Sequence, residues 1–258
     1  MINLKNEFNL NGFLIKEFKN KKPLNKCKEI IMDFFNKNDE YYSNLSTEEY
    51  RKLVLDCTKA INQEKIQKKI VENERSFFDE LIAKNLKIQS VVYFRTARPQ
   101  KPNHIQEQLD FHRETFYSDF EYIKKQFNFW FPIKNLSKKN SMKYIPFSHK
   151  LEDRDIITKD IEMKESGVKK FSVGHKIGLL YKPKKIISGV DFTKQKNLFV
   201  PNGSFVIFSS MLIHGAAINY DNKIRYSCDF GLLDEEVVDD IKFSFAGDRP
   251  QYLSYEEL

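Results

Sequence analysis

The chain is short of the features that mark several protein classes. Its 258 residues hold only three cysteines, Cys27, Cys57 and Cys228. Their odd number and wide spacing suit neither a disulfide framework nor a zinc site, so a reduced, cytoplasmic setting is expected. The opening MINLKNEF lacks the apolar stretch of a secretory leader. Long apolar runs are also missing: residues 205–213 come closest, but Ser209 and Ser210 interrupt them. They fall far short of the roughly 20 residues that span a bilayer, so no membrane association is expected. With no internal repeat, low-complexity tract or Gly/Pro-rich linker, the simplest division is one domain over 1–258.

What the chain does contain fits a soluble globular protein. Hydrophobic residues make up 41%, including 23 Phe and 12 Tyr, and charged residues of both signs make up 31%. A domain of this length buries about three quarters of its unfolded surface, so a sizeable core is available. The net charge of +7 suits an anionic partner. However, the lysines are dispersed and rarely form runs longer than two, so nucleic acid is not expected as a partner. A solvated lysine-rich surface accounts for most of the bias, which also suits a small acid such as a dicarboxylate or a nucleotide-sugar.

Residues 1–85 read as a mainly helical support. Ile30, Ile31, Phe34 and Phe35 share a face, and Leu53, Cys57 and Ile61 recur four apart. Ser46-Thr-Glu-Glu49 has the capping-box pattern that opens a helix. A third, more polar helix is predicted over 63–85, with Ile66, Ile70, Phe77, Phe78 and Leu81 inward. From 86 to 235, short Val-, Ile-, Phe- and Tyr-rich segments alternate with turn residues, the mark of strands joined by loops. Candidates are 88–96, 109–115, 127–133, 142–146, 205–214 and 224–232, a count that suits a sandwich or barrel. Charge-rich residues near 148–200 read as an insertion, and 236–258 as a C-terminal extension.

The stretch DFHRETFYSD, residues 110–119, is dense in metal-capable side chains. On a strand, residues two apart project to one face, so His112 and Glu114 can reach the same ion. On a helix they would diverge by about 200°. Asp110 shares that face, which leaves Asp110/His112 as a competing pair, and H-x-E alone is equally compatible with two solvated polar residues. A second segment, 205–233, places two apolar stretches around Tyr220-Asp-Asn-Lys223, and this turn chemistry predicts an antiparallel hairpin. With the turn centred between Asp221 and Asn222, His214 falls opposite Asp229 and shares its face with Arg225 and Ser227. A one-residue slip would reverse that placement. Two histidines and a carboxylate on a β scaffold form the facial arrangement that leaves three positions open on Fe(II). Arg225, with Ser227 two residues on, then suits the far carboxylate of a 2-oxo acid.

These residues resemble the non-haem Fe(II)/2-oxoglutarate-dependent oxygenases, specifically the phytanoyl-CoA-dioxygenase-like branch. The Met142-Lys-Tyr-Ile-Pro-Phe-Ser-His-Lys150 segment is similar to its I-P-G-S-H-K element, and Val200-Pro-Asn-Gly-Ser204 to the P-x-G-D turn before the distal histidine. Gly12-Phe13-Leu14 resembles an N-terminal element of the branch, and Trp130 stands where its members carry a Trp beside 2-oxoglutarate. Glu114 departs from the commoner Asp, Phe147 from Gly, and Ser204 from an acid. A retained carboxylate argues against halogenation.

The resemblance implies a double-stranded β-helix (a cupin-like jelly roll), mostly β in its core, with N-terminal helices on one sheet. It implies Fe(II) held by His112, Glu114 and His214, with 2-oxoglutarate and O2 as cosubstrates. Arg225 and Ser227 would take the distal carboxylate, Trp130 would pack against it, and hydroxylation is the default outcome. A looser resemblance, in VVYFRTARP and FHRETFY, is to oxygenases of carbohydrate and aminoglycoside biosynthesis clusters. It points to a sugar, nucleotide-sugar or related polar or anionic carbohydrate, with Tyr93, Arg95 and Arg98 as candidate substrate contacts; surface salt bridges account for the two arginines equally well. His104, His149 and His175 lack a paired carboxylate and are read as non-ligands, with His149 at the site rim. Two alternatives remain at this stage: a cupin-like metal enzyme that does not use 2-oxoglutarate, and a non-catalytic β-barrel that binds an acidic ligand.

Overall fold

The computed structural model describes residues 3–101, 110–117, 120–161, 184–215, 218–237, 245–246 and 249–258. The N-terminal third forms helices α1 (Leu4–Asn11), α2 (Lys22–Phe34), α3 (Asp39–Asn44), α4 (Thr47–Gln63), α5 (Ile66–Asn73) and α6 (Arg75–Leu81). Ser46 and Glu49 cap α4 reciprocally, with bonds of 3.2 and 3.1 Å, as the sequence predicts. The single helix expected over 63–85 is instead two. At the break, the buried Glu74 carboxylate accepts from the Lys19 amide at 2.7 Å, so a tertiary bond takes precedence over helix continuation. A further departure is strand β1 (Phe13–Glu17), set within a region that reads helical.

Among the described residues thirteen more strands follow: β2 (Leu86–Gln89), β3 (Tyr93–Ala97), β4 (Phe127–Lys134), β5 (Met142–Tyr144), β6 (Ile157–Asp160), β7 (Lys184–Ser188), β8 (Lys196–Leu198), β9 (Ser204–Ser209), β10 (His214–Gly215), β11 (Arg225–Asp234), β12 (Phe245–Ala246), β13 (Arg249–Pro250) and β14 (Tyr252–Ser254). The major sheet runs β1-β9-β4-β11-β2-β14, with β3 also paired to β11, and the minor sheet runs β10-β5-β8. Strands β6 and β7 form a separate ribbon, as do β12 and β13.

The strand expected over 88–96 is therefore two segments, both paired with β11. Between them the Asn62 side chain takes over the Val92 amide and carbonyl at 2.7 and 2.8 Å, which ends the ladder. The stretch 205–214 is divided as well: a turn closed by Leu212 N to Ser209 O at 2.9 Å sends β9 and β10 into different sheets. The insertion near 148–200 supplies β6, β7 and β8. The C-terminal extension supplies β14, which pairs with β2 at the edge of the major sheet.

Strand alternation sorts the major sheet into two faces. Phe129 and Phe131 of β4, Phe205 and Ile207 of β9, and Tyr226, Cys228 and Phe230 of β11 pack on the helices. Trp130, Val206 and Phe208 face the other way and meet Met142 and Leu198 of the minor sheet, together with Leu212. The two sheets thus face one another as a double-stranded β-helix, with helices covering the outer face, as expected. All three cysteines are buried and free. Phe129 is central to the outer core, 0% exposed and stacked on Phe205 and Phe230 at 4.5 and 4.8 Å. Phe129→Ala is expected to lower the unfolding free energy by about 3–5 kcal/mol in urea titrations.

Candidate metal centre

The segment around His112 is not the strand predicted over 109–115. Within 110–117, His112 forms a single antiparallel bridge with His214, and Glu114 begins a short 3-10 turn over Glu114–Phe116. The bridge is reciprocal: His112 N donates to His214 O at 2.8 Å, and His214 N to His112 O at 3.0 Å. Residues that exchange both bonds carry their side chains on one face, and the two rings lie 4.4 Å apart. Arg113 is extended, with φ −114° and ψ 159°, so Glu114 returns to the face of His112. The Glu114 amide is anchored on Ser210 O at 3.1 Å.

The predicted hairpin is also corrected. Residues 220–223 do bend, organised by Asn219, whose side chain donates to Ala97 O at 2.7 Å and to Lys223 O at 2.8 Å. The arms then diverge: His214 pairs with Tyr144 in the minor sheet, whereas Asp229 pairs with Tyr93 and Trp130 in the major sheet. His214 therefore faces the wall that carries Arg225, Ser227 and Asp229 instead of belonging to it.

His112, Glu114 and His214 offer ligand atoms that all lie within 4.8 Å of one another. Glu114 Oε1 sits 3.5 Å from His214 Nε2 and 4.0 Å from His112 Nε2. Each imidazole is tied through Nδ1 to a backbone carbonyl, Asp110 O at 2.7 Å and Leu212 O at 2.9 Å. A carbonyl can only accept, so Nδ1 carries the proton and both Nε2 lone pairs point at the carboxylate. Burial pushes both imidazoles down, His214 to about 4, while burial with nearby Asp229 raises Glu114 to about 7. Two neutral nitrogen donors and one carboxylate around a common point suit a divalent cation of the iron type. Asp110, the competing ligand in sequence, contributes its carbonyl to hold His112.

Arg225 is 5% exposed on the inner face of β11. Its Nη1 donates to Asn140 O at 2.9 Å, and its Nε has no partner among the described residues. Burial lowers its pKa to about 10, which still leaves it charged at neutral pH. Ser227 follows on the same face, its hydroxyl 3.5 Å from Arg95 O. Trp130 pairs with Asp229 and Val206 on adjoining strands. Tyr93 and Arg95 also reach this face, Arg95 in a two-point ion pair with Asp229. Arg98 does not: it is buried on the helical side, donating to Tyr42 O and Leu45 O at 3.1 and 2.8 Å with its guanidinium over Tyr50. Strand alternation turns it away, since β3 presents 93, 95 and 97 inward. His149 bonds Asn9 O at 3.0 Å, docking on α1 instead of lining the site. His104 and His175 lie outside the described residues, as does Leu109 at the start of the predicted 109–115 strand.

Arg113, the middle residue of H-x-E, went unnoticed in the sequence. It is 0% exposed, and its Nη2 donates to Ser148 O at 2.5 Å and Leu151 O at 2.8 Å, while Nη1 meets Asp153 at 3.2 Å. Ser148 Oγ in turn accepts from the Ile213 amide at 2.8 Å, next to His214. One buried guanidinium thus braces both ligand-bearing segments. An arginine between two apparent ligands was the only sequence signal, and it reads equally well as an exposed charge.

The family profile of phytanoyl-CoA dioxygenase (PhyH) matches residues 16–227. The chain belongs to that family. As a member of the phytanoyl-CoA dioxygenase family it is a non-haem iron, 2-oxoglutarate-dependent oxygenase. Solved structures share the fold at low identity. EvdO2 from Micromonospora carbonacea var. aurantiaca, complexed with 2-oxoglutarate, is 12% identical with a TM-score of 0.57, covering 90% of each chain. HygX from Streptomyces hygroscopicus, with nickel and 2-oxoglutarate bound, is 11% identical with a TM-score of 0.52, covering 89% of this chain and 84% of that one. SnoN, the non-heme alpha ketoglutarate dependent epimerase from nogalamycin biosynthesis, is 10% identical with a TM-score of 0.51, covering 90% and 81%. A comparison with curated proteins finds no match. No helix among the described residues is long and apolar enough to cross a membrane.

The raised Glu114 value sets a pH dependence. With a folded value of about 7 above its ordinary 4.5, this group favours the folded state at low pH and loses that contribution as pH rises through 7. Metal-free Glu114→Gln should therefore melt higher than wild type at pH 8, by less at pH 5. Nickel at a thousand times Kd adds about 4.1 kcal/mol to wild type and little to the variant, enough to reverse the order at pH 8. Arg113→Met is expected to weaken nickel binding roughly 10–100-fold by calorimetry, the usual cost of losing support behind a ligand.

Proposed function

We propose that this family member hydroxylates a small polar, carbohydrate-type molecule in the cytoplasm, using iron held by His112, Glu114 and His214. The observation that carries the reading is the convergence of two fixed Nε2 lone pairs and one carboxylate, facing a wall whose Arg225 has no ion-paired acid among the described residues. When bound, iron with 2-oxoglutarate and O2 supplies the oxidation, in which 2-oxoglutarate becomes succinate and CO2 and a substrate C–H becomes C–OH. Arg225 and Ser227 bind and orient the distal carboxylate, since a charged planar fork and a hydroxyl match its oxygens. Trp130, Val206 and Phe208 keep water from that carboxylate, which strengthens the charged contact. The carbonyls of Asp110 and Leu212 hold each imidazole in the tautomer that presents Nε2.

The carbohydrate assignment draws on the resemblance of VVYFRTARP and FHRETFY and on the polar residues of β3 and β11 that face the metal group. The related structure of SnoN holds Fe3+, alpha ketoglutarate and nogalamycin RO, a small molecule, which supports the size class by analogy. Anaerobic titration of wild type with Fe(II) and 2-oxoglutarate should give one complex per chain, which forms succinate on admission of O2. His112→Ala should abolish it. Arg225→Ala should weaken 2-oxoglutarate binding by about 2–4 kcal/mol, roughly 30- to 1,000-fold. The reading fails if wild type forms no such complex, or if His112→Ala retains full metal-dependent turnover. A complex that forms with metal alone, indifferent to 2-oxoglutarate, would favour a cupin-like enzyme of another kind.

A further inference from the structure

We infer that Arg95 and Asp229 form the substrate-reading pair of this site, and that the pair selects an uncharged, hydroxyl-bearing group over an anionic one. The inference rests on the oxygenase reading above and sharpens its substrate class.

The two residues come from neighbouring strands of the inner wall. Tyr93 lies opposite Asp229 and Arg95 opposite Ser227 in the β3–β11 ladder, with Trp130 on the far side of Asp229. Arg95 Nε meets Asp229 Oδ1 at 2.8 Å, and Nη2 meets Oδ2 at 3.2 Å. The Tyr93 ring lies 4.8 Å from the guanidinium carbon and fixes its plane. Although set on the inner face between the two sheets, these side chains are 37% and 24% accessible, and Glu114 across from them is 28% accessible. Strand alternation puts that exposure on the face of β3 and β11 that is turned towards the minor sheet. Asp229 and Arg95 both act electrostatically on Glu114 and His214, which places them around the same space.

The wall carries two arginines of opposite character. Among the described residues Arg225 has only a backbone carbonyl on its guanidinium, and its Nε is unpartnered, the condition of a site awaiting an anion. Arg95 already has its carboxylate. Among the described residues, two of the five N–H bonds of the guanidinium and two of about four lone-pair positions of the carboxylate are used. What the pair presents on the inner face is a set of spare donors beside spare acceptors with no net charge. An incoming phosphate or carboxylate would gain from Arg95 but meet Asp229 about 3 Å further on and Glu114 nearby, so attraction and repulsion nearly cancel. A hydroxyl donates and accepts at once, so adjacent hydroxyls match both halves of the pair. Such an array gives strong discrimination, because a ligand lacking either function leaves a desolvated polar group unpaired. The anionic option raised by the sequence, a sugar carboxylate or phosphate on Arg95, is therefore the disfavoured one at this position.

The test uses the full chain loaded with Mn(II) and 2-oxoglutarate, with loading measured first by calorimetry. Paramagnetic broadening of probe protons is then compared for methyl glucoside and myo-inositol against glucuronate and glucose 6-phosphate, with protein-free Mn(II) as control. Wild type should broaden the neutral probes about ten-fold more than the anionic ones, a difference of one modest charge interaction. Asp229→Asn, close to isosteric, exposes the charge of Arg95 and should invert the preference. The double variant Arg95→Gln with Asp229→Asn, again neutral, should restore it more weakly. Anionic preference in wild type, broadening of no neutral probe, or unchanged selectivity in Asp229→Asn would each overturn the inference. Failure to load Mn(II) and 2-oxoglutarate would instead count against the oxygenase reading itself.

Discussion

The site depends on one pair of backbone hydrogen bonds, exchanged between His112 and His214. These residues lie far apart in the chain and belong to segments that barely qualify as strands, yet the reciprocal bridge fixes the side on which both rings project. Little local structure would hold it alone. Its support comes from outside: His214 also pairs with Tyr144, the Glu114 amide is held by Ser210, and Arg113 binds the turn whose Ser148 hydroxyl holds Ile213. A buried polar framework of this kind is costly unless every member finds a partner, which is why it favours a single geometry.

The major sheet divides labour between its faces through strand alternation. Its outer face is a dense aromatic layer against the helices, while the inner face of the same strands carries Trp130, Arg225, Ser227 and Asp229. Rigidity and chemistry are thereby coupled, because the apolar packing of Tyr226, Cys228 and Phe230 fixes the phase of β11 and with it the direction of every polar side chain in between. The contrast between Arg95 and Arg225 arises on this single surface. Identical groups acquire different roles because one is ion-paired to a carboxylate and the other, among the described residues, is not.

Much of this was legible in the sequence, though not always for the reason first at hand. His112, Glu114 and His214 do converge, but through a bridge and a 3-10 turn, not a continuous strand. The alternation of Arg225, Ser227 and Asp229 held because period two survives wherever β11 is extended, whichever strand lies beside it. The hairpin did not hold, because turn chemistry at 220–223 signals a reversal without saying which sheet receives each arm. Arg98 lies on the helical side, and a run such as RTARP does not reveal where a strand stops presenting residues inward. The pairing of β1 with β9, the division of the 63–85 helix at Glu74, and the bracing by Arg113 all depend on distant partners, for which local pattern has no signal. The resemblance to the phytanoyl-CoA dioxygenase family rested on spaced motifs across most of the chain, and these tolerate such local errors.

The most direct test of the central claim is the position of the metal itself. In crystals grown with Ni(II) and 2-oxoglutarate, anomalous scattering should give one strong peak at coordination distance from His112 Nε2, His214 Nε2 and a Glu114 oxygen, with the far carboxylate of 2-oxoglutarate on Arg225. A peak elsewhere, coordination by Asp110 in place of Glu114, or 2-oxoglutarate bound away from Arg225 would contradict the account.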